Sequence, residues 1–128
     1  MKILVLDDVV EDLYLLRLFL NHSGYEVVTH SDCYRVIEII KDEKPQLIIL
    51  NVHMSDFSCV ELLVSIKKYF LIPVIVICSH EDTCVDYTVD GADAILIKPL
   101  NMNSLLELTE SLLKKYAVMA ENNEKNKN

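Results

Sequence analysis

The stretch Leu47-Ile48-Ile49-Leu50-Asn51 runs four apolar residues straight into an amide. No polar residue alternates within it, so both of its faces need cover, as in a parallel sheet flanked by helices. Similar runs lie on either side. Lys2-Ile3-Leu4-Val5-Leu6 ends on Asp7-Asp8, Val74-Ile75-Val76-Ile77-Cys78 ends on Ser79, and Ala94-Ile95-Leu96-Ile97 ends on Lys98-Pro99. With a further run, these predict strands over 2–6, 25–29, 46–50, 73–78 and 94–97. Between them the apolar spacing turns helical. Leu13, Leu16 and Leu20 predict a helix near 10–22, and Val36, Ile37 and Ile40 one near 32–43. Val60, Leu63, Val64 and Ile66 predict another near 58–69, and Leu105, Leu106, Leu108, Leu112 and Leu113 a long one near 102–118.

The punctuation agrees. Gly24 stands just past the first helix, where a C-terminal glycine belongs. Pro45 and Pro73 each precede a strand, where a missing N–H matters least. Asn101 or Asn103 caps the last helix. The chain therefore reads as β-α repeated five times, with a short fourth helix within 82–89. Right-handed crossovers make this a single doubly wound α/β parallel sheet. Ligands in such sheets bind beyond the carboxyl ends of the strands. That rule brings Asp7, Asp8, Asn51, Ser79 and Lys98 to one crevice, a set suited to a metal ion and a phosphoryl group.

The 128 residues fit one domain, and a hydrophobic content of 52% supplies a sizeable core. Two glycines and three prolines argue against a loop-rich or all-β design. A formal charge of -8 disfavours binding to nucleic-acid phosphates. The four cysteines, Cys33, Cys59, Cys78 and Cys84, form no Cys-x-x-Cys pair, and Cys78 reads as a small hydrophobe at a strand end. No signal peptide and no membrane-length apolar run is present, which points to a reducing, cytoplasmic home. Residues 1–119 form the expected domain. The polar residues 120–128 are expected to be a disordered tail or the start of a linker.

The order and placement of Asp7-Asp8, Leu47 to Met54, Ser79, Gly91-Ala92-Asp93-Ala94 and Lys98-Pro99 resemble the receiver domain of bacterial two-component response regulators, over residues 1–118. The resemblance implies a flavodoxin-like sheet of strand order 2-1-3-4-5. It implies that Asp7, Asp8 and the His53 carbonyl hold Mg2+, that Ser79 bonds a phosphoryl oxygen, and that Lys98 neutralises its charge beside a cis Pro99. Asn51 falls at the phosphoacceptor aspartate. An amide oxygen is a poor nucleophile, and its neutrality weakens the Mg2+ site to which Asn51 would contribute. Asn51 can still accept from Lys98 and donate through its NH2.

Other departures accompany it. Ser55 and Cys59 replace a proline and a glycine, His80 is bulky where a small residue is expected, Ile95 replaces an aromatic, and the segment from Ser79 to Gly91 is short. Together they favour natural loss of the acceptor over a laboratory substitution. His53 and His80 read as loop histidines rather than a zinc site, and Asp56 as an exposed loop carboxylate rather than a substitute acceptor. The expected function is a non-enzymatic pseudo-receiver acting by protein contact, as a monomer or weak homodimer. Its partner would be a histidine kinase, another regulator or an attached output domain. It would bind through the fourth helix, the fifth strand and the last helix, with no direct contact to nucleic acid or membrane. The alternatives are a phosphoryl-accepting regulator silenced at position 51 and the regulatory half of a DNA-binding regulator.

Overall fold

In the computed structural model, which describes residues 1–31, 34–51, 59–78 and 90–125, four of the five strands end at or just before the polar residue that closes their apolar run. The elements are β1 (Lys2–Leu6), α1 (Val10–His22), β2 (Glu26–His30), α2 (Val36–Glu43), β3 (Leu47–Asn51), α3 (Cys59–Tyr69), β4 (Val74–Cys78), β5 (Ala94–Ile97) and α4 (Met102–Lys125). The five strands form one sheet of order β2-β1-β3-β4-β5, with every neighbouring pair parallel. The expected helix within 82–89 lies outside the described residues.

Strand alternation divides the core into two layers. Leu4, Leu6, Ile48, Leu50, Val74, Val76 and Cys78 face α2 and α3, meeting Val36, Ile40, Leu62, Leu63 and Ile66. Ile3, Val5, Leu47, Ile49, Ile75 and Ile77 face α1 and α4, meeting Leu13, Leu16, Leu20, Leu105, Leu112 and Leu113. Both faces of β1, β3 and β4 are therefore buried, which is why these runs contain no alternating polar residue. Ile95, standing where an aromatic was expected, packs partly buried against the first layer.

Gly24 takes a φ of +98° just past α1, in the left-handed region that a side chain resists. The Asn101 side-chain oxygen accepts from the Ser104 N–H at 3.1 Å and caps α4. The Lys98–Pro99 bond is cis.

Two boundaries differ from expectation. The second helix begins at Val36, after Arg35 in a left-handed conformation with φ 61°, rather than near 32. The last helix continues to Lys125 through residues expected to be disordered. Neither glycine nor proline follows Pro99, and Ala117, Met119, Ala120, Glu121 and Glu124 are strong helix formers, so no stop signal interrupts it.

At the amino-terminal edge of β4 and β5, one carboxylate joins three elements. Asp93 Oδ2 accepts from Lys67 Nζ of α3 at 2.9 Å and from the Val74 N–H at 2.8 Å. Its Oδ1 accepts from the Tyr116 hydroxyl of α4 at 2.5 Å. Lys67 Nζ also donates to the Ile72 carbonyl at 2.9 Å and to the Tyr116 oxygen at 2.7 Å. Burial and the adjoining Asp93 push the Tyr116 phenol well above its ordinary value, so it remains a donor.

Candidate functional site

The parallel register brings the carboxyl ends of β1, β3, β4 and β5 level with one another. Leu6 pairs with Leu50, Asn51 with Ile77, and Cys78 with Ile97. Asp7, Asn51 and Lys98, at or just beyond these ends, therefore share one crevice. Asp7 and Asn51 are each only 1% exposed, deep for polar side chains. Asp8, beside them in sequence, is exposed. Ser79, His53, Ser55, Asp56 and His80 lie outside the described residues.

The two buried side chains are bonded to each other. Asn51 Nδ2 donates to Asp7 Oδ2 at 2.8 Å, and the Val9 N–H donates to Asp7 Oδ1 at 2.9 Å. Both carboxylate oxygens of Asp7 thus accept from neutral donors. The second of these bonds also shapes the turn into α1, whose N-cap Val9 has no side-chain oxygen to offer. Lys98 Nζ donates to Asp12 Oδ2 on α1 at 2.9 Å, where an approach to Asn51 was expected. Asp12 outcompetes the amide because a carboxylate is the stronger partner for an ammonium ion. A cavity of about 200 Å³ opens beside these groups, its apolar lining including Leu16, Ile77, Leu100 and Met102.

Asp12 was not singled out in the sequence, although it stands four residues after Asp8, on the turn of α1 nearest the crevice. Cys78 also departs from expectation. It is fully buried and disulfide-bonded, rather than a lone small hydrophobe. Its carbonyl accepts from the Lys98 N–H at 2.7 Å, joining the ends of β4 and β5 under the crevice.

Burial pushes the Asp7 carboxyl above its ordinary value. The Val9 and Asn51 bonds oppose this, Asp12 adds to it, and Lys98 opposes it. A raised carboxyl in the folded state binds protons that the unfolded chain has released. Its penalty is therefore full above the folded pKa and disappears below the unfolded one. Relative to Asp7→Asn, the native chain should gain stability as pH falls through the folded Asp7 pKa. The gain is about 1.4 kcal/mol per pH unit separating the folded value from the unfolded one. Urea titrations at stepped pH measure this difference. A gap that is flat with pH, or that widens against the native chain on acidification, would contradict the assignment.

A doubly wound parallel sheet of this strand order, with acidic, amide and lysine groups at its strand ends, defines a flavodoxin-like α/β domain. Residues 3–110 match the response regulator receiver domain, and the chain belongs to that family. It is 28% identical over 121 residues to the transcriptional regulatory protein KdpE of Mycobacterium tuberculosis, covering 93% of this chain and 54% of that protein. It is 29% identical over 126 residues to the alkaline phosphatase synthesis transcriptional regulatory protein PhoP of Bacillus subtilis, covering 96% and 52%. The chain thus spans about half the length of these curated relatives. Among solved structures, NtrX from Brucella abortus aligns with a TM-score of 0.86 at 27% identity, over 98% of this chain and 29% of that one. A response regulator receiver domain protein from Clostridium thermocellum aligns with a TM-score of 0.85 at 25% identity, over 92% and 98%.

Receiver domains typically bind Mg2+ at this crevice, and the side chains here fit the ion poorly. Mg2+ demands near-octahedral oxygen ligands. The buried carboxylate that should meet it is already held on both oxygens, and Asn51 contributes no charge. Among the described residues no group of three or more His, Cys, Asp or Glu side chains is arranged to hold a metal. None of the described helices is long and apolar enough to cross a membrane.

Proposed function

We propose that this chain is a pseudo-receiver: a receiver domain that takes no phosphoryl group at Asn51 and signals by protein contact. The carrying observation is the 2.8 Å bond from Asn51 Nδ2 to Asp7 Oδ2. An ionised aspartate has no proton to donate there. The amide replaces both nucleophile and metal as the partner of Asp7, and Asp12 replaces the phosphoryl group as the partner of Lys98. Asp7, Asp8, Asn51 and the His53 carbonyl remain as a weakened Mg2+ site, and Asn51, Ser79 and Lys98 as the remnant phosphoacceptor site.

The partner is another signalling protein: a histidine kinase, a second regulator or an attached output domain. It meets the face built from segment 79–89, β5 and α4. An attached output domain suits relatives that are named as transcriptional regulators and are about twice as long. The setting is cytoplasmic, and the domain is a monomer or weak homodimer. The competing reading is a phosphoryl-accepting regulator, using Asp56 or inactivated only at position 51.

Intact mass after treatment with acetyl phosphate and Mg2+ separates the readings. The native chain is expected to gain no phosphoryl mass, and a gain would overturn the proposal. Asn51→Asp, treated alongside, gains one if Ser79 and Lys98 still serve the chemistry and none if the crevice has drifted as a whole.

A further inference from the structure

Four large apolar side chains of α1 stand in solvent: Val10, Tyr14, Leu15 and Leu18, between 50% and 68% exposed. No other described element carries more than two. A concentration of this kind marks a contact surface. We propose that α1 is the contact face of a weak homodimer with two-fold symmetry, in which the helix packs antiparallel against the same helix of a second copy.

The occupant follows from the spacing along the helix. Leu13, Leu16 and Leu20 are buried and hold α1 to the sheet. On the other side Glu11, Leu15, Leu18 and His22, all exposed, recur at intervals of four, three and four residues, the spacing of a coiled-coil seam. At 3.6 residues per turn this seam stands about 160° around the helix from the buried leucines, so it faces away from the core of its own domain. Tyr14 and Val10 continue the apolar surface along one flank.

The seam is complementary to itself in one direction only. In an antiparallel pair with the two-fold axis midway between Leu16 and Arg17, Leu15 of each copy meets Leu18 of the other, and Glu11 meets His22. The Glu11 carboxylate accepts an N–H from the imidazole. The amino end of each helix, which carries Glu11, then lies beside the carboxyl end of the other, which carries His22, and the helix dipoles oppose favourably. A parallel pair would set Glu11 against Glu11, and like charges at one level repel. A helix of a different protein would impose no such symmetry on one sequence, whereas an isologous contact between identical copies requires it.

The seam runs about 16 Å along the helix, which places the contact at the low end of interface sizes and makes the dimer reversible. Leu15 also lines the cavity beside Asp7 and Lys98, so the contact borders the crevice without using Asp7, Asn51 or Lys98. This face is distinct from the one built on β5 and α4, and the dimer forms whether or not Asn51 accepts phosphate.

Sedimentation equilibrium of the full chain from micromolar to millimolar concentration, with free thiols blocked, tests the proposal. The expected result is a monomer–dimer equilibrium. Leu18→Glu should raise its dissociation constant by about tenfold or more, because the substitution falls at the centre of the contact. Val64→Glu, at an exposed apolar position of α3, should leave it unchanged. Glu11→Lys should weaken association by about fivefold, since symmetry counts the lost pair twice. Adding His22→Glu to Glu11→Lys should restore it, because each new charge again meets its opposite across the two-fold axis. Circular dichroism confirms that each variant folds. A monomer at every concentration would overturn the proposal and leave the seam to a helix of another protein. A dimer unmoved by Leu18→Glu, or a double variant that associates no better than Glu11→Lys alone, would overturn it as well.

Discussion

Asp93→Ala is expected to destabilise the domain by about 3 kcal/mol, at the low end of the 3–5 kcal/mol for breaking a buried ion pair by removing one partner. Three donors converge on this carboxylate: the Lys67 ammonium, the Val74 N–H and the Tyr116 hydroxyl. The side chains of Asp93 and Lys67 are only 10% and 21% exposed, so water replaces the lost acceptor poorly. The Val74 N–H belongs to the first residue of β4, a strand buried along its whole length. Alanine would leave that N–H unpaired at the mouth of the core, and an unsatisfied buried donor alone costs about 1–3 kcal/mol. Lys67 keeps its bonds to the Ile72 carbonyl and the Tyr116 oxygen, which places the loss at the low end.

Against a total stability of about 5–15 kcal/mol for a domain of this size, such a loss is large. Asp93→Asn, which retains one acceptor oxygen, should lose less. Urea denaturation of the native chain and both variants measures the effect. If Asp93→Ala fell within about 1 kcal/mol of native, close to the range usual for surface changes, the junction would be a solvated surface contact rather than a structural clasp.

That junction also marks where sequence reasoning ran out. The sheet was legible because each buried strand is an unbroken apolar run ending in a polar residue, and α1 and α3 because their apolar spacing is helical. Asp7, Asn51 and Lys98 were legible as neighbours because topology alone aligns the strand ends. Which of them bond one another was not. Lys98 and Asp12 are 86 residues apart, and their pairing depends on the angle at which α1 crosses the sheet. Lys67 and Asp93 are residue types that usually sit in solvent, and their meeting with Tyr116 depends on how α3 and α4 flank β4 and β5. Nothing in the apolar spacing of α4 marks Tyr116 as the residue clasped to the sheet. The disulfide at Cys78 was hidden for a different reason: cysteine spacing along a chain does not specify pairing in space.

Asn51→Asp is expected to destabilise the chain by about 2–4 kcal/mol at pH 7 without divalent cations, and Mg2+ is expected to reverse most of the loss. The substitution exchanges a 2.8 Å hydrogen bond for two carboxylates at the same buried position. Like charges about 4 Å apart repel by about 4 kcal/mol at an effective dielectric constant of 20. The bond lost was made to a charged acceptor, a class worth about 1.5–3 kcal/mol. The pair relieves itself in part by retaining a proton, and Asp7 is already predisposed to this by burial. Its folded-state pKa would then lie above the unfolded value. The penalty is absent at acid pH, where both states are protonated, and grows as pH rises through the folded value. The variant should therefore approach native stability as pH falls toward the ordinary carboxylate range.

Mg2+ acts from the other side. An ion that binds only the folded variant, at a hundred times its dissociation constant, contributes about 2.7 kcal/mol, enough to offset most of the repulsion. In the native chain the amide already occupies Asp7, so the same Mg2+ should shift its urea midpoint far less. Equal stability of the two chains in EDTA at pH 7 would show that the amide is not what holds Asp7. Equal Mg2+ stabilisation of both would show that the native site still takes the ion, and that losing the nucleophile left the metal chemistry of the crevice intact.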